Sequence, residues 1–167
     1  MVDVLGCSER AHLMKMLHSL DIKSSPETVW YWLGDPERAK TWMTSITHTE
    51  TLKQTEGWVG TTFRETVADE DGSTDMTGIV TAYVPNKHLA MYLEGQYNKV
   101  EVYYNLEDKG NYTRLTSVSD VRFRSFLMIM MFFLGPVFKK KIKGQLVEEF
   151  NKLKMICEQG DQDQIKA

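Results

Sequence analysis

Between Ser45 and Val121 the chain contains short segments in which hydrophobic and polar residues alternate. These segments are rich in Val, Thr, Tyr and Phe, and a period of two in such residues is typical of β-strands. Turn residues interrupt the pattern repeatedly, and Asp71-Gly72 is typical of a hairpin tip. We therefore predict an antiparallel meander of six strands joined by short turns. The predicted strands cover residues 46–53, 61–68, 75–84, 88–95, 99–107 and 112–123.

The alternation also predicts which side chains share a face of the sheet. In the fifth of these strands, Val100, Val102, Tyr104 and Leu106 lie on one face. In the sixth, the corresponding face carries Leu115, Ser117, Ser119, Val121 and Phe123. Because these faces are largely apolar, we expect another element to cover them.

The residues before the meander predict one further strand and two short helices. His12–Ile22 is rich in apolar residues and ends at a turn, so we predict a first strand there. Ser25 is a suitable N-cap and Pro26 suits the first helical position, so a helix should run from there to Gly34. Asp35-Pro36 repeats the same signal and predicts a second short helix ending at Met43.

The residues after the meander predict a long amphipathic helix. Apolar residues recur every three or four positions within Val137–Cys157, which gives a helix with one apolar stripe. The stripe consists of Ile142, Leu146, Phe150, Leu153 and Cys157. A large antiparallel sheet curls, and a helix against its concave side would leave a cavity between them. The predicted fold class is α+β, with a curved antiparallel seven-stranded β-sheet wrapped around a long C-terminal α-helix and two short helices after strand 1.

A chain of 167 residues favours a single domain, which we place at residues 12–158 between flexible tails at 1–11 and 159–167. The net charge of −3 gives no general attraction to nucleic acid, and we expect no nucleic-acid partner. Cys7 and Cys157 are isolated and read as reduced thiols. Since the first ten residues also lack the pattern of a secretion signal, we expect a cytoplasmic protein.

The segment Phe126–Phe138 holds thirteen residues without a charge, and four lysines follow within five positions. A membrane-spanning helix needs about 20 apolar residues, so this segment is too short to span. We predict a helical segment at Phe126–Leu134 and a kink at Gly135-Pro136. The lysines form either a solvated helix face or a basic patch, so transient contact of Phe126–Lys143 with an anionic lipid surface remains open.

Motifs for most kinds of chemistry are missing from the sequence. The four histidines are scattered and no paired cysteines occur, so we expect no metal site. No nucleophile elbow or phosphate-binding glycine loop is present, and we expect no cofactor. Most of the charged strand residues alternate with apolar neighbours, so we expect them on the outer, solvated face. They are Glu65, Asp75, Glu94, Glu101, Asp120 and Arg114.

The order of elements and four stretches of sequence resemble the START-like superfamily, which has the helix-grip fold. This superfamily includes birch-pollen-allergen-like proteins and the polyketide cyclase/dehydrase-like family. The stretches are IKSSPETVWYWLGDPERAKTWM (Ile22–Met43), GWVGTTFRETV (Gly57–Val67), VTAYVPNKHLAMYL (Val80–Leu93) and TRLTSVSDVRF (Thr113–Phe123). The resemblance extends over residues 12–158 and concerns structural motifs, so it implies a fold more than an activity.

The resemblance implies a deep apolar cavity between the sheet and the long helix. Members of the superfamily bind lipids, sterols, polyketides or plant hormones, some are cyclases or dehydratases, and a related group activates a chaperone. We expect this protein to bind a hydrophobic small molecule or lipid. The alternatives are a cyclase/dehydratase without a metal or cofactor, which needs an ionisable group inside the cavity, and a protein-interaction module, which needs an exposed apolar patch.

We assign no catalytic residue from the sequence, and we predict ten ligand-binding residues from the alternation and the apolar segment. They are Phe63, Met91, Val102, Tyr104, Leu115, Ser117, Ser119, Phe126, Met130 and Phe133.

Overall fold

The computed structural model describes residues 13–69, 72–123 and 125–165, and within the last helix it describes the side chains from Lys140 to Gly160. It contains seven strands and three helices in the described residues. In chain order the elements are β1 (Leu13–Ile22), α1 (Pro26–Leu33), α2 (Pro36–Ala39), β2 (Ile46–Lys53), β3 (Thr62–Asp69), β4 (Gly72–Val84), β5 (His88–Gly95), β6 (Asn98–Asp108), β7 (Thr113–Phe123) and α3 (Ser125–Ile165).

The seven strands form one sheet in the order β1-β7-β6-β5-β4-β3-β2, and every neighbouring pair is antiparallel. Strands β2 to β7 are a meander, as predicted, and β1 adds to the far side of β7. The connection from β1 to β2 carries the two short helices across to the opposite edge of the sheet. Together with the long helix α3, this is the predicted helix-grip fold.

The two short helices begin where their capping residues predict. The Ser25 hydroxyl accepts a hydrogen bond from the Thr28 N–H at 3.2 Å, and the Asp35 carboxylate accepts one from the Glu37 N–H at 2.9 Å. Helix α2 ends at Ala39, so the predicted end at Met43 was wrong. The chain turns after Ala39, which buries Trp42 and lets its indole N–H donate to the Trp32 carbonyl at 3.0 Å.

Helix α3 is longer and more continuous than predicted. Its backbone is helical from Ser125 to Ile165, including Gly135-Pro136. A proline inside a helix removes one backbone hydrogen bond, and its ring crowds the carbonyl four residues before it. The helix nevertheless continues on both sides of Pro136. The helix also continues beyond residue 158, into the predicted C-terminal tail at 159–167. The predicted N-terminal tail at 1–11 lies outside the described residues.

The faces predicted from the alternation are confirmed in β6 and β7. Tyr104 and Leu106 are buried in β6, and Leu115, Ser117, Ser119 and Val121 are buried in β7, whereas the residues between them are more exposed. The apolar stripe of α3 covers this part of the sheet, since its last three members are completely buried in the same core cluster. These members are Phe150, Leu153 and Cys157.

Gly78 makes room for the ring of Phe63 in the sheet. The two residues are direct partners on β4 and β3, and a β-carbon at position 78 would overlap the Phe63 ring. A glycine inside a strand usually weakens it, but here its missing side chain leaves the space that the Phe63 ring occupies. The position of the Phe63 ring therefore depends on Gly78.

We expect Gly78→Ala to lower the free energy of unfolding by about 1–3 kcal/mol, because the new methyl group forces the Phe63 ring out of its place. Urea denaturation followed by circular dichroism measures this difference. Gly144→Ala is the matched control, since Gly144 lies in α3 with open space around it, and alanine should stabilise the helix there by up to about 1 kcal/mol. Equal stabilities of the two variants would contradict the role of Gly78.

Candidate functional site

A cavity of about 200 Å³ lies between the concave face of the sheet and the two short helices. Strands β2 to β6 line one side of it, and α1, α2 and the residues that follow α2 line the other. Within β3, β5 and β6 the lining residues follow the period of two that places side chains on one face of a sheet. They are Phe63, Glu65 and Val67 in β3, Leu89, Met91 and Leu93 in β5, and Val100, Val102 and Tyr104 in β6.

An aromatic wall borders the cavity at the loop between β2 and β3. The Trp58 ring stacks on Tyr83 with ring centres 5.4 Å apart and an angle of 16° between the planes, and Trp30 meets Tyr83 edge-on at 5.1 Å. The backbone of Trp58 has a φ of 70°, a left-handed conformation that is unusual for a residue with a side chain. Trp58 was missed in the sequence, because no hydrophobic pattern reports the conformation of a loop.

Hydrogen bonds within this loop and to β4 hold Trp58 in place. The Thr55 hydroxyl donates to the Val59 carbonyl at 2.7 Å, and the Thr61 N–H donates to the Trp58 carbonyl at 2.9 Å. The Gly60 N–H donates to the Val80 carbonyl at 2.8 Å, which fixes the loop to the neighbouring strand β4. The ring therefore belongs to a well-bonded part of the cavity wall.

Glu65 lies on the cavity side of β3, which corrects its predicted place on the outer face. It has the same parity along the strand as Phe63 and Val67, and all three line the cavity. Burial raises the pKa of the Glu65 carboxyl to about 7, because the apolar surroundings disfavour its charged form. The described part of the chain gives this carboxyl no hydrogen bond or ion pair. A carboxylic acid that has no partner among the described residues and lies inside an apolar cavity is the most distinctive chemical group of the site.

Two hydroxyl groups lie near Glu65. Thr49 is its direct partner on β2, and it is only 7% exposed while its hydroxyl has no hydrogen-bond partner among the described residues. Tyr104 lines the cavity from β6, and burial, followed by the charges of Glu65 and Glu149, raises the pKa of its hydroxyl. Glu65 and Tyr104 are thus close enough to interact electrostatically, and both would be neutral at pH 6.

Glu149 connects α3 to the start of β2 and is not among the residues predicted from the sequence. It is 4% exposed, and one of its oxygens accepts hydrogen bonds from the Ser45 N–H at 2.9 Å, the Ser45 hydroxyl at 2.9 Å and the Thr44 hydroxyl at 3.2 Å. Because Ser45 itself lines the cavity, this buried carboxylate positions the helix beside the site.

The structure brings together four of the ten predicted ligand-binding residues: Phe63, Met91, Val102 and Tyr104 all line the cavity. Leu115, Ser117 and Ser119 are buried and are not among the described residues that line it, so their contact with a ligand stays a prediction. The alternation assigns them correctly to the concave face, but Phe150 and Leu153 of α3 join Leu115 in the core cluster and occupy that half of the face.

The remaining three predicted residues, Phe126, Met130 and Phe133, belong to the part of α3 whose side chains lie outside the described residues. Their contact with a ligand stays a prediction, as does contact of Phe126–Lys143 with a lipid surface. In the described residues, no helix combines the length and the apolar character needed to cross a membrane. Within the same residues, no group of histidine, cysteine or carboxylate side chains has the arrangement of a metal site.

Solved structures with the same fold include proteins of several kinds. An aromatase/cyclase, Zhui, from Streptomyces sp. R1128 is 13% identical with a TM-score of 0.75, and the alignment covers 88% of this chain and 94% of that one. A START superfamily protein from Mycobacterium smegmatis is 20% identical with a TM-score of 0.72, covering 87% and 97%. Ara h 8.0201 is 11% identical with a TM-score of 0.61, covering 87% and 97%. At these identities the likeness concerns the fold alone.

No similar protein was found among curated protein sequences. A family model described as polyketide cyclase / dehydrase and lipid transport matches residues 15–158. The match extends from the first strand to the last buried turns of α3, so it includes every described residue that lines the cavity. The chain therefore belongs to the polyketide cyclase/dehydrase and lipid transport family.

Proposed function

We propose that this protein binds a hydrophobic or amphipathic small molecule, or a lipid, in the cavity between the sheet and the short helices. The observation that carries the proposal is the cavity itself, a space of about 200 Å³ whose lining is mainly apolar. Natural interiors are usually packed without such voids, and each void removes favourable contacts from its lining. A cavity retained in the core of a small domain is therefore best explained by a ligand that fills it.

The chemistry of the lining favours an apolar ligand. Met76 and Met91 have flexible, polarisable side chains that adapt to ligands of different shape. Aromatic rings of Trp42, Trp58 and Tyr83 supply large, rigid contact surfaces. Each Å² of apolar surface that a ligand removes from water contributes roughly 25 cal/mol to binding. The family description, which includes lipid transport, supports the same proposal.

The uncharged fluorescent probe N-phenyl-1-naphthylamine tests this proposal. We expect saturable binding at one site per chain, and we expect Val102→Phe to weaken it at least tenfold, because the larger side chain fills the cavity from β6. Ala39→Leu fills the cavity from α2, on the opposite wall, and should have the same effect. Mass spectrometry of an organic extract of the purified protein identifies any ligand that was bound in the cell.

Val84→Phe is the matched control, because Val84 lies on β4 with 47% of its surface exposed and is not part of the lining. Its probe affinity should equal that of the unmodified protein, and thermal unfolding shows that all three variants are folded. Probe binding that is unaffected by both cavity-filling substitutions would contradict a ligand site in this cavity.

Glu65 favours a second candidate, an enzyme of the cyclase/dehydratase kind acting in the same cavity. Such an enzyme needs a proton donor or acceptor inside the cavity, and the carboxyl of Glu65, with its pKa raised to about 7 by burial, meets this requirement. The Tyr104 hydroxyl provides a neutral hydrogen-bond donor beside it. An enzyme would convert the molecule recovered from its cavity on incubation, whereas a carrier would return it unchanged.

The outer face of the sheet gives no support to a protein-interaction module. Ion pairs cross it, among them Lys99–Glu94 at 3.4 Å, Arg122–Glu101 at 3.4 Å and Arg114–Asp21 at 2.7 Å. The exposed large hydrophobic residues of the described chain come from separate elements. An interaction surface of the predicted kind would need a contiguous apolar patch instead.

A further inference from the structure

We propose that the ligand carries a cationic amine beside its apolar body, and that this amine pairs with Glu65 inside the cavity. The inference rests on the proposed ligand-binding function and names the chemical class that the site would select. It follows from the charges, the hydroxyl groups and the shape of the lining.

The described lining carries charge of one sign. Glu65 is the only Asp, Glu, Lys, Arg or His among the described residues that line the cavity. A second carboxylate, Glu149, lies close enough to Tyr104 to act on its hydroxyl. A buried carboxylate is unfavourable unless a cation compensates it. A ligand with an ammonium group supplies this cation, whereas a fatty acid would add another negative charge.

Hydroxyl groups next to Glu65 can complete the coordination of an ammonium group: Tyr104 belongs to the cavity lining, and Thr49 is the strand partner of Glu65 beside it. An alkylammonium has three N–H donors and no acceptor. The carboxylate of Glu65 and the hydroxyls of Thr49 and Tyr104 can all accept hydrogen bonds, and direct cross-strand partners such as Glu65 and Thr49 have β-carbons roughly 5 Å apart. The Thr49 hydroxyl is buried and has no partner among the described residues, which is unfavourable in the free protein. A bound ammonium would satisfy it.

The remainder of the lining accommodates the apolar body of such a ligand. Trp58 and Tyr83 offer stacked ring faces, and Trp42 adds an indole from the residues after α2. Aromatic faces attract the partly positive methylene groups next to an ammonium as well as the cation itself. We therefore expect a ligand with one amine and a hydrocarbon or aryl body.

Ionisation of Glu65 makes the preference depend on pH. Among the described residues, Tyr104 of β6 is the titratable group that interacts with Glu65, and Glu149 of α3 acts on the same Tyr104 hydroxyl. The strand partners of Glu65 on β2 and β4 are Thr49 and Met76, which carry no charge. Burial raises the pKa of the free Glu65 carboxyl to about 7, so most of it is neutral at pH 6 and charged at pH 8. An ammonium ligand requires the charged form. Its affinity should therefore rise with pH over this interval, because the amine itself keeps its proton until about pH 10.

Three probes with the same ten-carbon chain test the inference: decylamine, 1-decanol and decanoate. Each competes with N-phenyl-1-naphthylamine for the full-length protein at pH 6 and pH 8. At pH 8 we expect decylamine to bind at least tenfold more tightly than 1-decanol, and decanoate to bind more weakly than 1-decanol. At pH 6 the ratio of decylamine to 1-decanol affinity should fall at least threefold.

Glu65→Gln keeps the shape of the side chain and removes its charge, so the decylamine preference at pH 8 should disappear. Glu50→Gln is the matched control, since Glu50 lies on the outer face of β2 beside Arg64, and the preference should persist there. Decanoate binding as tightly as decylamine, or a preference that survives Glu65→Gln, would overturn the amine assignment while leaving the cavity as a binding site. Failure of all three probes and of N-phenyl-1-naphthylamine to bind would instead overturn the proposed function and the amine assignment with it.

Discussion

Replacing Phe150 with alanine should lower the free energy of unfolding by about 4 kcal/mol, as expected for removing a large aromatic side chain from a packed core. Phe150 has no exposed surface, and its ring contacts those of His18, Trp42 and Tyr104, with ring centres 5.2, 5.5 and 6.3 Å away. These neighbours come from β1, the segment after α2, and β6. Phe150 therefore joins α3 to three separate parts of the fold.

Urea denaturation of the unmodified protein and of Phe150→Ala measures the difference in their free energies of unfolding. Met155→Ala on the same helix is the control, because Met155 is 59% exposed and its truncation should change the stability by less than about 0.5 kcal/mol. Phe150→Ala should also reduce binding of the cavity probe, because Tyr104 loses the aromatic ring that packs against it. A loss below about 1 kcal/mol for Phe150→Ala would mean that α3 is not held to the sheet by this residue.

Substituting Glu65 with glutamine should stabilise the protein at pH 8 by up to about 3 kcal/mol and leave its stability at pH 4 nearly unchanged. Burial raises the pKa of this carboxyl from 4.5 to about 7, and one pKa unit corresponds to about 1.4 kcal/mol. Between pH 4.5 and about pH 7, the Glu65 carboxyl keeps its proton in the folded protein but has lost it in the unfolded chain. The stability of the unmodified protein therefore falls as the pH rises from about 4.5 to about 7, and this loss is complete above pH 7.

Urea midpoints measured from pH 4 to pH 8 for both proteins give the curve of stability against pH. The difference between the curves should grow with pH and level off above pH 7. In Glu50→Gln, whose side chain lies on the exposed outer face beside Arg64, no such growth is expected. A constant difference between Glu65→Gln and the unmodified protein at all pH values would show that the Glu65 carboxyl titrates normally.

Most elements of this fold could be predicted from the sequence, because local signals determine where they begin and end. The bounds of β2 and β5 agree with the prediction, since turn residues lie on both sides of each. The end of α2 could not be predicted, because the chain leaves the helix to bury Trp42, a tertiary contact that no local signal reports. The continuity of α3 through Pro136 was not predicted either, because a proline inside a helical pattern is the usual signal for a kink.

The site was only partly predictable for a similar physical reason. Alternation assigns Val102 and Tyr104 to the concave face and also assigns Leu115 and Ser117 to it, but it does not show which half of the face the helix fills. Glu65 was missed because its charge argued for solvent, although its parity along β3 placed it beside Phe63. The position of a residue along a regular strand determines which face its side chain lies on, even when the residue is charged. A charged residue at a position that faces the core is therefore a candidate functional residue.

At position 58, the backbone conformation lowers the stability of the fold while the tryptophan side chain forms part of the cavity wall. Its neighbours with positive φ, Gly57 and Gly60, are residues that tolerate this conformation, whereas a tryptophan there is strained by about 1 kcal/mol or more. Glycine at position 58 would relieve the strain and at the same time remove the ring that stacks on Tyr83. If stability alone were selected, glycine would be favoured at position 58 and the cavity would lose the Trp58 ring from its wall. A tryptophan kept in this conformation indicates a requirement for its ring that outweighs the strain.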